Sequence, residues 1–92
     1  MNVVEQRWYV YMVETECGVL YTGISTDIDR RFSEHCAVSN GGKQGAKFFR
    51  GKVAKAVVYR EQCLNRSEAS KREYVIKKLS AAKKRALING AD

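Results

Sequence analysis

The sequence predicts one small α+β domain over residues 1–92, with its elements in the order β-β-α-loop-β-α-α. Three observations support this fold class. A chain of 92 residues can bury one modest core and little more. Two aromatic and β-branched runs near the N-terminus are joined by a turn short enough for an antiparallel hairpin. Later segments carry apolar residues at helical spacing.

The hairpin is predicted from the first two runs. Trp8 to Val13 is almost unbroken in its aromatic and β-branched residues, which is typical of a strand buried on both faces. Residues 19–25 form the second strand after a short polar turn. If the hairpin turns about residue 16, Tyr11 lies opposite Tyr21 on one face, with the two Cβ atoms about 5 Å apart.

The first helix is predicted to begin at Thr26, whose hydroxyl can cap the first turn, and to end near Val38. Three residues at i, i+4 and i+8 give its apolar face: Ile28, Phe32 and Cys36. Residues 39–51 are rich in glycine and basic residues, so they are predicted to form a mobile basic loop. A third strand follows over residues 53–61.

The second helix is predicted to begin near Arg66 or Ser67, and two residues compete as its cap: Asn65, which starts a capping-box pattern, and Ser67. Its inner face carries Val75, Ile76 and Leu79. Residues 81–88 either continue this helix or form a third one, and Gly90 ends the helical stretch. The strands therefore form an antiparallel sheet that helices cover.

Composition excludes several classes of protein. No apolar run approaches the roughly 18 residues that span a bilayer, and the first residues resemble no signal peptide. We therefore expect a cytoplasmic protein without membrane contact. Its cysteines are odd in number and widely spaced, and it has a single histidine, which argues against a zinc site and favours reduced thiols: Cys17, Cys36 and Cys63.

The net charge of +7 is concentrated in two clusters of basic residues. The first lies within residues 41–60, and the second lies within residues 71–85, where Glu73 is the one acid. Such clusters attract polyanions, and a nucleic-acid backbone is the usual partner. The alternative is a solvated basic surface that keeps the protein soluble.

Two tyrosines and a glycine form the first candidate chemical feature. Tyrosine hydroxyls such as those of Tyr11 and Tyr21, brought together on one sheet face, can hold or deprotonate a water and can bind a phosphate oxygen. Gly23 lies on the same strand as Tyr21, and a glycine inside a strand marks a bulge or a close approach by another group. The simpler explanation is that tyrosine favours strands.

The first helix adds a second feature, because Arg31 and His35 lie one turn apart on one face. A guanidinium can bind a phosphate and its developing charge, and an imidazole can transfer a proton near neutral pH. The alternatives are an ion pair between Arg31 and Asp27 and an ordinary surface position for His35.

Glu73 on the second helix is the third feature. A carboxylate at the edge of a buried face, surrounded by positive charge, can hold one Mg²⁺ or Mn²⁺, since magnesium prefers oxygen ligands and keeps several waters. For an isolated glutamate, the alternative is an ion pair with Lys77 at i+4.

Together these residues resemble the GIY-YIG nuclease pattern over nearly the whole chain, and more closely its small stand-alone bacterial branch of YhbQ-like (UPF0213) proteins. The chain departs from the family motifs in two places, since Tyr9-Val10-Tyr11 lacks a glycine and Tyr21-Thr22-Gly23 has a central threonine. The resemblance implies a three-stranded antiparallel sheet flanked by helices. It also implies hydrolysis of a phosphodiester with one bound divalent cation.

Carried over by position, the resemblance gives five catalytic residues: Tyr11, Tyr21, Arg31, His35 and Glu73. Arg31 would contact the scissile phosphate and Glu73 would bind the metal. Basic residues would hold the backbone without reading bases, with DNA favoured over RNA: Lys43, Lys47, Arg50, Lys52, Lys77, Lys83 and Lys84. A late family asparagine is matched by Asn89. The rival functions are a non-catalytic nucleic-acid-binding module and an adaptor in a repair or restriction complex; the oligomeric state stays open.

Overall fold

The computed structural model describes residues 7–39 and 47–90, and its elements follow the predicted order. One element was not predicted, a short 3₁₀ helix within the expected loop, and residues 40–46 of that loop lie outside the described residues. The elements are β1 (Trp8–Thr15), β2 (Leu20–Ser25), α1 (Ile28–Ser39), the 3₁₀ segment (Lys47–Phe49), β3 (Ala54–Cys63), α2 (Arg66–Lys77) and α3 (Ala81–Ile88).

The three strands form one antiparallel sheet in the order β2-β1-β3. The predicted hairpin register was wrong by two residues, because Tyr11 pairs with Gly23 while Val13 pairs with Tyr21. The reason lies in the turn, which is centred one residue later and is closed by Gly18 at a φ of +86°. A two-residue shift keeps every side chain on its face, so Tyr11 and Tyr21 remain neighbours, now along a diagonal.

The sheet separates two apolar layers, and β1 contributes to both, as predicted for a strand buried on both faces. On one face α1 and the 3₁₀ segment pack on the sheet, and the buried residues are Tyr11, Val13, Ile28, Val38 and Phe49. On the other face α2 and α3 pack on Val10 and Met12, with Ala69 and Ile76 as the buried helix residues.

The helix caps differ from expectation at one site. Thr26 does not cap α1, because the Asp27 carboxylate accepts from the Arg30 amide at 3.1 Å and the helix begins one residue after Asp27. Of the two candidate caps for α2, Asn65 is the one that caps the helix. Ser80 caps α3, which makes α3 a separate helix. Within residues 7–39 and 47–90, none of the helices has the length and apolar character needed to cross a membrane.

Candidate active site

The centre of the site is a hydrogen bond between a strand and a helix. The Tyr11 hydroxyl oxygen of β1 lies 2.8 Å from Nε2 of His35 on α1, and both side chains are fully buried. The alternative of a surface position for His35 is therefore wrong. Its burial follows from the packing of α1, whose buried residues Ile28 and Val38 lie on the same inner stripe.

Burial fixes the protonation states of this pair. Burial lowers the pKa of His35 to about 4, and the positive charge of Arg31 acts in the same direction. Burial also raises the pKa of Tyr11 above its usual value, with a smaller contribution from Tyr21. Both groups are therefore neutral at pH 7. In the tautomer with its proton on Nδ1, Nε2 of His35 accepts a hydrogen bond from the Tyr11 hydroxyl.

Tyr21 completes an aromatic group around this bond. Its ring centroid lies 6.3 Å from that of Tyr11 and 5.1 Å from that of His35. Gly23 makes room for the group, because a Cβ atom there would lie 2.9 Å from the Tyr11 hydroxyl oxygen and 3.0 Å from the Tyr21 ring. The glycine in β2 therefore reflects a close approach, which was one of the two predicted explanations.

The substitution Gly23→Ala is expected to push the two tyrosine rings apart and to lengthen the bond between Tyr11 and His35. Overpacking of this kind costs about 1–3 kcal/mol of the free energy of unfolding, measured by urea denaturation. Gly18→Ala serves as a comparison, because its cost comes from the positive φ and an added Cβ atom there would have no neighbouring atom within 4 Å. A Gly23→Ala protein as stable as wild type would contradict the packing described above.

Arg31 borders the same site. Its guanidinium donates to the Glu34 carboxylate at 2.6 Å, so the predicted ion pair with Asp27 is replaced by one at i+3. The hydrogen bond from Arg31 lowers the pKa of Glu34, which keeps that carboxylate ionised. Arg31 also lowers the pKa of Tyr11 by its charge and by a hydrogen bond, although burial outweighs it. The guanidinium thus lies within electrostatic reach of the Tyr11 hydroxyl.

Glu73 lies on α2, which packs on the other face of the sheet, and its charge is within electrostatic range of Tyr11. Its carboxylate is about a quarter exposed, at 23%, and pairs with Lys77 at 3.3 Å, so the predicted alternative is present. The negative charge of Glu73 contributes to the raised pKa of Tyr11, after burial and the charge of Tyr21. The described residues contain no group of three His, Cys, Asp or Glu that could hold a metal. A single accessible carboxylate fits a magnesium ion that keeps most of its waters.

The sequence prediction missed the aromatic wall of the site. Phe49 is fully buried, and its ring lies 4.3 Å from His35 and 5.0 Å from Tyr21, centroid to centroid. Phe48 lies 5.3 Å from Tyr21. Two adjacent phenylalanines in a stretch otherwise rich in glycine and lysine were the available signal.

The structure does not gather the predicted backbone-binding residues into one place. Arg50 and Lys83 are exposed, and the Lys52 ammonium lies 4.8 Å from the Phe48 ring centroid. Lys84 is half-buried in a cavity between the hairpin turn and α3. Of the remaining predicted residues, Lys77 pairs with Glu73. Lys43 lies outside the described residues, and only the backbone of Lys47 is described.

Asn89 is not brought to the tyrosines. It is exposed and forms the C-cap of α3, where its backbone N–H donates to the carbonyl of Arg85. The neighbouring residues Leu87 and Ile88 pack on the sheet face opposite to Tyr11. Its predicted place in the site therefore has no support in this arrangement.

Comparisons with known proteins identify the family of this chain. Residues 7–86 match the family model of the GIY-YIG catalytic domain. A UPF0213 protein of Desulfotalea psychrophila is 48% identical over 85 residues, covering 92% of this chain and 74% of the relative. A UPF0213 protein of Pseudomonas aeruginosa is 47% identical over 83 residues, covering 90% of this chain and 75% of the relative.

The fold agrees as well. The solution NMR structure of a UPF0213 protein from Bacillus halodurans matches with a TM-score of 0.54 at 34% identity, covering 90% of this chain and 83% of that chain. The predicted α+β fold and the predicted resemblance are both confirmed. Proteins of the matched family act on nucleic acid, and its nucleases generally depend on a divalent metal. This chain is therefore a member of the GIY-YIG nuclease family and of its UPF0213 branch.

Proposed function

We propose that this protein is a metal-dependent nuclease that hydrolyses phosphodiester bonds, with DNA favoured over RNA and with little sequence preference. The single observation that carries the proposal is the buried hydrogen bond of 2.8 Å between Tyr11 and His35. A buried phenol bonded to a neutral imidazole, with a guanidinium nearby, is a proton-transfer device beside an anion site.

The proton leaves the attacking water through this bond. The Tyr11 oxygen accepts a proton from the water while the Tyr11 proton passes to Nε2 of His35, so no free tyrosinate is needed. The water oxygen forms a bond to phosphorus, and the bond to the leaving 3′ oxygen breaks, so that this oxygen departs with the bonding electron pair and takes up a proton from solvent. Of the two predicted relays, His35 is better supported than Tyr21, because His35 is within hydrogen-bond distance of Tyr11.

Arg31 would bind the scissile phosphate. Its guanidinium is held by the Glu34 carboxylate, an oxyanion that a guanidinium binds as it binds a phosphate. A phosphate bound there would receive hydrogen bonds from Arg31 and would be held beside the Tyr11 hydroxyl. The gain would be largest in the transition state, where the phosphoryl oxygens carry the developing charge.

Glu73 would hold the divalent cation, Mg²⁺ or Mn²⁺. When bound, the cation would neutralise charge on the phosphate and on the leaving oxygen. Basic residues would contact the phosphates on either side, among them the exposed Arg50 and Lys83 and the half-buried Lys52 and Lys84. Such contacts fix the register of the backbone without reading bases, which supports weak sequence preference.

A non-catalytic nucleic-acid-binding module, alone or as an adaptor in a larger complex, is the rival function. One observation favours it: Arg31 and Glu73 are both engaged in ion pairs on their own helices, with Glu34 and Lys77. In a nuclease these pairs must open when the phosphate and the cation bind. In a binding module they would stay closed.

The test is cleavage of labelled duplex, single-stranded and branched DNA, with RNA alongside, in Mg²⁺, in Mn²⁺ and in EDTA. We expect metal-dependent cutting of at least one DNA substrate that is lost in Arg31→Ala. Tight binding without any cutting, under all metal conditions, would favour the binding module. Binding that survives unchanged in about 0.2 M salt would count against an electrostatic hold on the backbone.

A further inference from the structure

The 3₁₀ segment places one aromatic ring directly on the catalytic histidine. The Phe49 ring lies at 4.3 Å from the His35 ring, with an angle of 29° between the two planes. This is a stacked contact, and Phe49 is 0% exposed. The same ring meets Tyr21 edge-on at 5.0 Å. Phe49 thus covers one whole face of the imidazole.

We propose that Phe49 is a positioning residue, which fixes the plane of the His35 imidazole and keeps water away from its bond with Tyr11. This inference rests on the proposed nuclease function, since it concerns the proton relay of that reaction. Phe49 touches neither the water nor the phosphate. It acts through His35, whose Nε2 must point at the Tyr11 oxygen for the proton to pass.

Stacking and sealing are both needed for this role. An imidazole can turn about its χ2 angle, and a turned ring would aim Nε2 away from Tyr11. A stacked ring at 4.3 Å restricts that turn. Water entering beside the ring would also compete for the Tyr11 hydroxyl. The apolar face of Phe49 offers such a water no hydrogen-bond partner, so the space stays dry.

The groups around His35 explain why its burial by Phe49 can be followed through the pKa of His35. Tyr11 faces the ring from β1, Tyr21 from β2, and Arg31 and Glu34 lie on its own helix. Burial is the largest cause of the low pKa of His35, ahead of the charge of Arg31, and Glu34 opposes both. Opening the seal would remove the largest cause and leave the two charges in place.

Phe48 is a matched comparison within the same segment. It is half-buried, packs on Tyr21 and Phe49, and lies under the Lys52 ammonium. A truncation of either phenylalanine removes the same number of atoms from adjacent positions. The two differ in that the Phe49 ring stacks on His35, whereas the described ring contacts of Phe48 go to Tyr21 and Phe49.

The experiment is an NMR titration of His35, which is the single histidine of the chain and needs no assignment. We expect wild type to titrate near 4 and Phe49→Ala to shift upward toward the ordinary value of 6.5. Phe49→Val should shift less in the same direction, and it serves if the alanine variant does not fold. In Phe48→Ala, the pKa of His35 should equal that in wild type. A folded Phe49→Ala or Phe49→Val protein in which His35 titrates as in wild type would overturn the proposal.

Cleavage kinetics separate positioning from sealing. Phe49→Leu keeps an apolar side chain but loses the parallel ring, so His35 should still titrate well below 6.5 while kcat falls several-fold. Phe49→Ala should lower kcat by about tenfold to a hundredfold with KM little changed. An unchanged kcat in both variants would overturn the positioning role. A titration shift without cutting by wild type would refute the nuclease and leave the seal standing.

Discussion

Tyr11→Phe is expected to abolish most cleavage while the protein stays folded. The ring remains in the buried layer on β1, so only the hydroxyl that bonds to His35 is lost. Removal of a proton-transfer group typically costs about 10²–10⁴ in rate, and here both the acceptor for the water proton and its link to the imidazole disappear. We expect a fall of about a thousandfold in single-turnover rate at saturating Mg²⁺.

Tyr9→Phe is the matched control, because Tyr9 lies on the same strand and packs against the same buried layer. It should cleave at the wild-type rate. The stability of Tyr11→Phe should drop by about 1–2 kcal/mol, the cost of losing one buried hydrogen bond. If Tyr11→Phe cut within threefold of wild type, the water would have to lose its proton by another route, and the relay through His35 would be wrong.

The meeting of Tyr11 and Tyr21 illustrates why a fold can be predicted better than a register. Alternation along a strand fixes which face a side chain occupies, and that depends only on sequence parity. The pairing partner depends on the position of the turn, because a turn centred one residue later changes the partner of every strand residue by two positions. Gly18, at a positive φ, closes the turn, and the prediction had placed the centre of the turn one residue too early.

His35 shows the limit of periodicity on a short helix. The i, i+4, i+8 pattern of α1 gave a stripe through Ile28 and Phe32, whereas the buried residues are Ile28, His35 and Val38. Both stripes lie within about one residue's rotation of each other on a helix of 3.6 residues per turn. Tertiary packing chose between them, because Phe49 supplies an apolar surface that accepts the imidazole ring.

Phe49 itself could not be placed from the sequence. Secondary-structure signals in residues 39–51 are dominated by glycine, which favours a loop and says nothing about where an apolar residue in that loop packs. The Phe49 ring finds its partners in His35 and Tyr21, which are distant in the chain. Loop residues that line a site through such long-range contacts require coordinates.

In the proposed nuclease, each of the two ion pairs at the site occupies a place that a substrate or a cation would take. The Glu34 carboxylate binds Arg31 where a phosphate would bind, and the Lys77 ammonium binds Glu73 where a metal cation would bind. Each is a weak intramolecular partner of the correct charge, and each is partly exposed, so the ion pair costs little to open. In the proposed nuclease, they would keep Arg31 and Glu73 oriented and charge-balanced until substrate and cation replace them.

Glu73→Gln is expected to remove metal-dependent cleavage, by about a thousandfold or more at a fixed Mg²⁺ concentration. The amide keeps the shape of the side chain but loses the charge that attracts a divalent cation, and metal stabilisation of a phosphoryl transition state is worth several kcal/mol. Mn²⁺ binding, followed by electron paramagnetic resonance, should be weakened in the same variant. The rate and the metal affinity should fall together.

Glu68→Gln is the matched control on the same helix. Glu68 also pairs with a lysine, at 3.5 Å from Lys71, but it lies in the first turn of α2 and serves no role in the proposed site. It should bind Mn²⁺ and cleave as wild type does. Lys77→Met should bind Mn²⁺ more tightly, because the competing ammonium is gone. Equal Mn²⁺ affinity in Glu73→Gln and wild type would show that the cation is held elsewhere, and the assignment of Glu73 would fall.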